Sequence, residues 1–144
     1  MKLILLMTLS LSISCDETLN KNGKICSLLR EAFSSEYLQR EFFLCRDGTS
    51  FILYDKQEVL RSCRFFDVCG KEIRISHDKK YDKLSPNDNH STTDKSIVVL
   101  HKVEIEGEYY TLFFWRPFSG AAVNLTYRKS RDKFGLVDYS IGTF

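Results

Sequence analysis

The last fifty residues of the chain carry the most regular alternation of apolar and polar positions. Four runs of strand length follow one another there, and short turns separate them. Because connections this short join antiparallel neighbours, the pattern predicts a four-stranded meander. The predicted strands span 97–105, 108–116, 121–129 and 133–141. One face of the third strand is apolar, which indicates a sheet with one buried face and one face that is more exposed to solvent.

An amphipathic helix is predicted over residues 24–38. Apolar residues recur there at intervals of three and four, which places them on one helix face. These residues are Ile25, Leu28, Leu29, Ala32, Phe33 and Tyr37. Asn22-Gly23 precedes them as a helix start signal. The helix is expected to cover the apolar face of the sheet.

The stretch between the helix and the meander is strand-like but less regular. Further strands are predicted at 41–46, 50–54 and 71–76. Asp47-Gly48 separates the first two, as in a hairpin. Residues 56–69 fit a helix face as well as a strand. Residues 77–95 contain almost no apolar side chains and are expected to form a polar loop. This loop is either a surface connection without a binding role or a recognition loop.

The elements together predict an α+β fold, with the N-terminal amphipathic helix packed on a curved antiparallel sheet that ends in the meander. By element order this shape is similar to cystatin-like or NTF2-like folds, a likeness that says little about function. The length of 144 residues favours a single domain, expected over residues 24–144.

Composition narrows the class of protein. Apolar residues make up 43% of the chain and charged residues 28%, an ordinary globular mixture that argues against global disorder. The formal net charge of +2 is close to balance. A nucleic-acid-binding domain usually carries a clear basic excess, so no nucleic-acid partner is expected.

The first fourteen residues have the pattern of a secretory signal peptide. Lys2 precedes an apolar run over residues 3–13, which is too short to span a bilayer as a helix because a span needs about 20 residues. A run of this length suits the apolar region of a signal peptide, and Ser12 and Ser14 supply small residues before the cleavage point. Export from the cytoplasm is therefore expected.

Cys15 directly follows this leader, an arrangement that resembles the lipobox of bacterial lipoproteins. The resemblance implies cleavage before Cys15, lipidation of its thiol and anchoring to a membrane, with the polar residues 15–23 as a tether. The family's box usually has Leu three positions before the cysteine, where this chain has Ser12. Plain secretion with Cys15 as an ordinary thiol stays the alternative.

Four more cysteines remain after Cys15 is set aside. They are Cys26, Cys45, Cys63 and Cys69. An even number in an exported chain predicts two disulfide bonds, and four cysteines allow three pairings. Their spacing contains no Cys-x-x-Cys pair, so no metal site is expected.

Charged residues cluster at two turns of the predicted meander, which must lie at the same end of the sheet. The first turn carries the acidic residues Glu104, Glu106 and Glu108. The second carries the basic residues Arg128, Lys129, Arg131 and Lys133. Such charges keep sheet ends soluble, and they also suit a bipolar docking surface for a protein partner.

Aromatic residues crowd the second strand of the meander on both of its faces. Tyr109 and Trp115 fall on one face, and Arg116 follows directly. Three interpretations stay open: a second core layer, an exposed protein-binding patch, or the wall of a pocket for an apolar ligand. Trp and Arg dominate binding hot spots, which makes this pair a candidate contact for a partner.

The three histidines match no catalytic motif. His77 and His90 fall in the polar loop, whereas His101 is expected to share an apolar strand face with Val99 and Val103. No Ser-His-Asp arrangement, paired carboxylates or glycine-rich phosphate loop accompanies them. Neither catalytic residues nor a cofactor are predicted, although an enzyme using His101 with the acidic turn stays a minor hypothesis.

Two functions therefore follow from the sequence. The first is a small exported, lipid-anchored, non-enzymatic protein that binds another protein in the bacterial cell envelope, as an inhibitor or immunity protein does. The alternative is a secreted carrier that holds a small apolar ligand in a sheet-lined pocket.

Overall fold

A computed structural model describes residues 14–46, 50–63, 65–84 and 96–143 of the chain. The predicted signal peptide and the Asp47-Gly48 turn lie outside these residues, apart from Ser14. Two helices come first, α1 (Ser14–Ser34) and α2 (Glu36–Glu41). The strands are β1 (Phe51–Asp55), β2 (Phe65–Val68), β3 (Lys71–Ser76), β4 (Ile97–Glu106), β5 (Tyr109–Arg116), β6 (Ala121–Ser130) and β7 (Lys133–Thr143).

The seven strands form one curled sheet in the order β2-β3-β1-β4-β5-β6-β7. The predicted mixture of helices and a curved sheet is confirmed, and β4 to β7 form the antiparallel meander. The sheet as a whole is not antiparallel, because β1 lies parallel to both β3 and β4. Those two pairings join segments distant in sequence, which local turn signals do not reveal.

The predicted hairpin over 41–46 and 50–54 is wrong in its first strand. Residues 36–41 form α2, whose N-cap is Ser35: its hydroxyl accepts a hydrogen bond from the Leu38 amide at 3.3 Å. Turns follow, and they direct Phe42 and Leu44 into the core. These apolar side chains are buried by tertiary packing rather than by alternation along a strand.

Other segment boundaries also differ from the prediction. Helix α1 begins at Ser14 rather than near residue 24 and includes the expected tether, 15–23. The ambiguous residues 56–69 contain turns followed by β2. A 3₁₀ helix, Lys79–Lys83, occupies part of the expected polar loop, and residues 85–95 lie outside the described chain.

Two positive φ angles explain why the chain reverses between β2 and β3. Cys69 has φ 52° and Gly70 has φ 74°, so both central residues of this turn are left-handed. That conformation matches the twist of a two-residue hairpin, and β2 and β3 pair directly on either side of it.

The main core lies on one face of the sheet and includes residues of both helices. Phe33 of α1 meets Phe66 and Phe114 edge to face, with ring centroids 4.8 and 5.5 Å apart. Such pairs add stabilisation beyond the burial of their area. The same cluster contains Leu28, Leu29, Ala32, Leu38, Leu53, Ile73, Val98, Leu100, Leu112, Val123, Leu125 and Tyr127.

A smaller apolar cluster lies on the opposite face. Tyr54, Ile97, Val99 and Trp115 are buried there, and Tyr81 and Leu84 pack against them from the 3₁₀ helix and the residue after it. The hydroxyl of Tyr54 donates a hydrogen bond to Asp82. The sheet is therefore covered on both faces near β1 and β4.

A register shift in β4 corrects the predicted face of that strand. Leu100 pairs with Phe114 and Lys102 pairs with Phe113, so His101 is an extra residue between them. Such a bulge changes the phase of the alternation. Val99 consequently joins the smaller cluster, while Val103 packs against the main core instead of sharing the face of Val99.

Two disulfide bonds join the helical part of the chain to the β1–β3 region. Cys26 of α1 pairs with Cys63, and Cys45 pairs with Cys69, with Cα separations of 5.7 and 5.3 Å. Of the three possible pairings the structure thus selects one. Disulfides of this kind are typical of extracellular or periplasmic proteins. Within the described ranges, no helix combines the length and apolar character that crossing a bilayer requires.

Candidate functional site

The last strand of the meander is a long edge strand with exposed apolar side chains. β7 has eleven residues and pairs with β6 alone among the described strands. Its large exposed residues are Leu136 (37% exposed), Val137 (53%), Tyr139 (48%) and Ile141 (40%). Soluble proteins usually protect long apolar edges, because such edges attract other chains.

Three of these residues lie on the face that should belong to the core. Leu136, Tyr139 and Ile141 stand opposite the buried residues of β6 in the antiparallel register. Their partners are Tyr127, Leu125 and Val123. The same face of the sheet is therefore buried along β6 and exposed along β7.

The N-terminal end of α2 borders this exposed strip. The rings of Tyr37 and Tyr139 stack with centroids 3.9 Å apart, and a hydrogen bond with Tyr139 raises the pKa of Tyr37. Beside them a groove of about 270 Å³ runs between the helices and β7, with Glu31, Phe134 and Leu136 in its wall. The strip and groove together form a half-open apolar surface.

The charged turns that the sequence singled out do lie at one end of the sheet. The amide of Lys129 donates to the carbonyl of Glu108 at 2.8 Å, and Arg128 Nε lies 3.3 Å from Glu108 Oε2. Glu104 pairs with Lys102 within β4. Opposite charges therefore partly neutralise one another across the two turns.

The basic turn extends onto α1. A hydrogen bond to Lys129 and the charge of that lysine lower the pKa of Lys24. Glu106 and Arg131 are exposed at the two turns, and Tyr109 is exposed beside them. This charged end remains an accessible surface next to the start of β7.

Trp115 and Arg116, predicted as contact residues, are both buried in the folded chain. The guanidinium of Arg116 donates to the carbonyl of Phe42 at 2.8 Å and lies between the rings of Phe51 and Phe118. Burial lowers the pKa of Arg116. This arginine ties β5 to the residue that follows α2, a structural contact that sequence spacing did not indicate.

A pocket of about 270 Å³ lies on the other face of the sheet, next to Trp115. Phe113, Trp115 and Leu84 supply apolar walls, and Lys56 and His101 supply polar ones. Burial and the nearby charges of Lys56 and Lys102 lower the pKa of His101. The charges that act on this histidine are therefore cationic, rather than the carboxylates of the acidic turn that the minor enzyme hypothesis required.

A histidine–carboxylate pair that the sequence did not predict lies at the ends of β1 and β3. Tyr54 pairs with Ser76 in parallel register, so the next residues, Asp55 and His77, meet side by side. His77 Nε2 lies 3.0 Å from Oδ2 of the buried Asp55. No local signal marks this pair, because parallel pairing brings it together across 22 positions.

Several predicted features lie beyond these observations. Residues 1–13 and His90 lie outside the described chain, and Cys15 is described only as part of the α1 backbone. Cleavage and lipidation therefore stay predictions. Comparison of the chain with protein-family models, with curated proteins and with solved structures finds no match.

Proposed function

We propose that this protein is an exported, lipid-anchored, non-enzymatic binding protein of the bacterial cell envelope, and that an extended segment of another protein adds to its sheet along β7. The observation that carries the proposal is the exposure of Leu136, Tyr139 and Ile141 on the core-side face of an edge strand. Burying them requires a further layer or strand that the described chain does not supply.

Strand addition fits the geometry of β7. Eleven residues extend over about 36 Å at 3.3 Å per residue, enough for a long ladder of main-chain hydrogen bonds. In this mode of recognition the main chain supplies affinity and alternating side chains supply specificity. A partner segment with apolar residues at every second position would continue the strip over the groove beside Tyr37.

Another protein suits this edge better than a second copy of the chain. Two β7 strands paired about their centre would bring Asp138 against Asp138, and like charges directly opposite destabilise a sheet. Val137 also forms a bulge, because Thr126 pairs with Asp138 whereas Tyr127 pairs with Leu136. In a pair of two copies both strands would carry this bulge, whereas a regular partner segment meets only one, so self-pairing is the less favourable of the two.

The anchor would act through α1. Lipidation of Cys15 would place acyl chains at the start of this helix, and contacts of Phe33 at its other end hold it against the sheet. A multi-chain anchor holds a protein firmly on a membrane, whereas one acyl chain does so only marginally. The domain would thus stay close to the membrane with β7 available to a partner.

The size of the chain and its expected address favour an inhibitor or an immunity protein. The charged turns, with Glu106 and Arg131 exposed, would orient the approaching partner, since complementary charge mainly sets the rate of association. The apolar strip would then determine how long the complex lasts.

The test is recovery of the partner from the native host with charged variants of β7. Tyr139→Lys and Ile141→Lys should each reduce recovery of the partner by about tenfold or more, because a buried unpaired charge costs several kcal/mol. Phe43→Lys is the matched control, because Phe43 is 44% exposed in the turns after α2 and belongs neither to the apolar residues of β7 nor to the charged turns. Equal recovery with all three variants would refute the role of β7.

The carrier hypothesis has its own support in the pocket beside Trp115. That pocket lies on the opposite face from the β7 strip, so the two hypotheses involve different residues. A lipid-like molecule bound in stoichiometric amount to the purified protein would favour the carrier.

A further inference from the structure

The pocket beside Trp115 has the composition of a site for a small organic anion. We propose that it binds a carboxylate with a compact apolar body, such as a medium-chain fatty acid or a small aryl acid. This inference develops the carrier alternative and uses none of the residues that support strand addition to β7.

The pocket exists because large and small residues face each other across the β5–β6 pair. Trp115 stands opposite Ala122, and Phe113 stands opposite Asn124. The short side chains of β6 leave space beside the two rings, and Leu84 closes the apolar wall from the residue after the 3₁₀ helix. An apolar body would replace water against these rings, which is the main driving force for binding in such sites.

Two side chains supply the polar end of the pocket. His101 follows Val99 by two residues and lies on the same face of the sheet as Val99 and Trp115, so its imidazole stands in the wall of the pocket. Lys56 stands next to it, since its amide donates to the carbonyl of Leu100 at 3.2 Å. The main-chain geometry thus fixes two nitrogen-bearing side chains at one end of an apolar cavity.

The charge around the pocket is positive. Among the residues that the structure describes, none that lines the pocket carries a carboxylate. Lys102 lies near the rim but is paired with Glu104 and placed over the ring of Phe113 at 4.6 Å. Lys56 is therefore the cation available to a ligand. A positively charged rim of this kind favours a negatively charged ligand.

The volume limits the size of the ligand. A cavity of about 270 Å³ is at the small end of ligand sites, and at about 30 Å³ for each water-sized group it holds roughly nine such groups. Octanoate and phenylacetate, with about ten non-hydrogen atoms each, match this limit. A long-chain lipid would have to leave most of its chain outside.

The single tryptophan of the chain makes the site directly observable. Trp115 lines the pocket, so its fluorescence reports on this cavity alone. Octanoate, octanol and octylamine should be titrated into the full chain, with calorimetry in parallel to detect binding that leaves the fluorescence unchanged. We expect saturable binding of octanoate, binding of octanol weaker by about tenfold, and no binding of octylamine.

Two matched lysine variants identify the cation. Lys56→Met should weaken the binding of octanoate by about tenfold and leave the affinity for octanol unchanged. Lys133→Met, at an exposed lysine of β7, should change the affinity for neither ligand. Equal affinity for octanoate and octanol, equal effects of the two variants, or no octanoate binding by either method would each overturn the proposal. None of these results depends on the exposed residues Leu136, Tyr139 and Ile141 of β7, so the two proposals fail separately.

Discussion

His77 Nε2 lies 3.0 Å from Oδ2 of Asp55, a carboxylate with no exposed surface. Asp55 also accepts hydrogen bonds from the amides of Val59 and Leu60, at 3.1 and 2.7 Å. One buried carboxylate therefore closes the turn after β1 and joins it to the end of β3. Because buried polar groups need such partners, this residue is a structural centre of the mixed part of the sheet.

Replacement of Asp55 should destabilise the fold strongly. Asp55→Ala leaves the buried amide of Leu60, the partly buried amide of Val59 and one histidine without their acceptor, which should lower the free energy of unfolding by about 2 to 4 kcal/mol. Asp67→Ala, at an exposed aspartate of β2, should change it by less than about 0.5 kcal/mol. Urea unfolding followed by circular dichroism measures both, and equal effects would contradict the structural role of Asp55.

The contacts of Phe33 predict that α1 stabilises the sheet. Phe33→Ala removes a ring that meets Phe66 and Phe114 and should cost about 3 to 5 kcal/mol in unfolding free energy. Phe43→Ala is the control, because Phe43 is 44% exposed. A loss for Phe33→Ala no larger than for the control would show that α1 does not pack as described.

Alkaline pH should weaken the protein through buried tyrosines. Burial and the hydrogen bond to Asp82 raise the pKa of Tyr54 to about 12, and burial raises the pKa of Tyr127 as well. In the unfolded chain these groups lose their protons near pH 10, so the folded state binds more protons above that pH. The contribution of these two tyrosines to stability is therefore fully present below about pH 10 and is lost as the pH rises toward 12.

Tyr54→Phe provides the test of that pH dependence. The variant should remove a slope of up to about 1.4 kcal/mol per pH unit between pH 10 and 12, at the cost of one hydrogen bond, worth about 1 kcal/mol, at neutral pH. Chemical unfolding at fixed alkaline pH values measures both quantities. Identical slopes for the two proteins would contradict the burial of Tyr54.

The disulfide pairing predicts a defined peptide map. Digestion without reduction should yield Cys26 linked to Cys63 and Cys45 linked to Cys69. The two bridges close loops of 37 and 24 residues. Because a bridge restricts the unfolded chain, removal of either one should lower the free energy of unfolding by about 3 to 4 kcal/mol. The Cys26→Ser/Cys63→Ser double variant should therefore unfold at clearly lower urea concentration, and a different pairing in the map would refute the arrangement.

The sequence predicts the parts of this fold that short-range signals determine. The meander follows from alternation and short turns, and the even number of cysteines indicates two bridges. The hydrophobic period also locates helix over most of residues 24–38, although α1 begins earlier and Ser35 separates it from α2. For the meander and the helices the relevant residues are neighbours along the chain, whereas the bridges follow from the number of cysteines alone.

The missed features depend on contacts between distant segments. Parallel pairing of β1 with β3 and β4 creates the Asp55–His77 pair, and no local pattern encodes it. Phe42 and Leu44 look like strand residues but are buried beside α2. The bulge at His101 reverses the expected phase in the second half of β4, so Val103 packs against the main core while His101 keeps the face of Val99.

The central claim is that β7 takes up a strand of another protein. Its most direct test replaces Tyr139 with a photoreactive phenylalanine analogue in the native host, with the same replacement at the exposed Phe43 as control. We predict one discrete adduct at position 139, with an extended segment of a different protein in the cross-linked peptide, and its loss when Ile141→Lys is added. No adduct, equal adducts at both positions, or an adduct with a second copy of this chain would contradict the proposal.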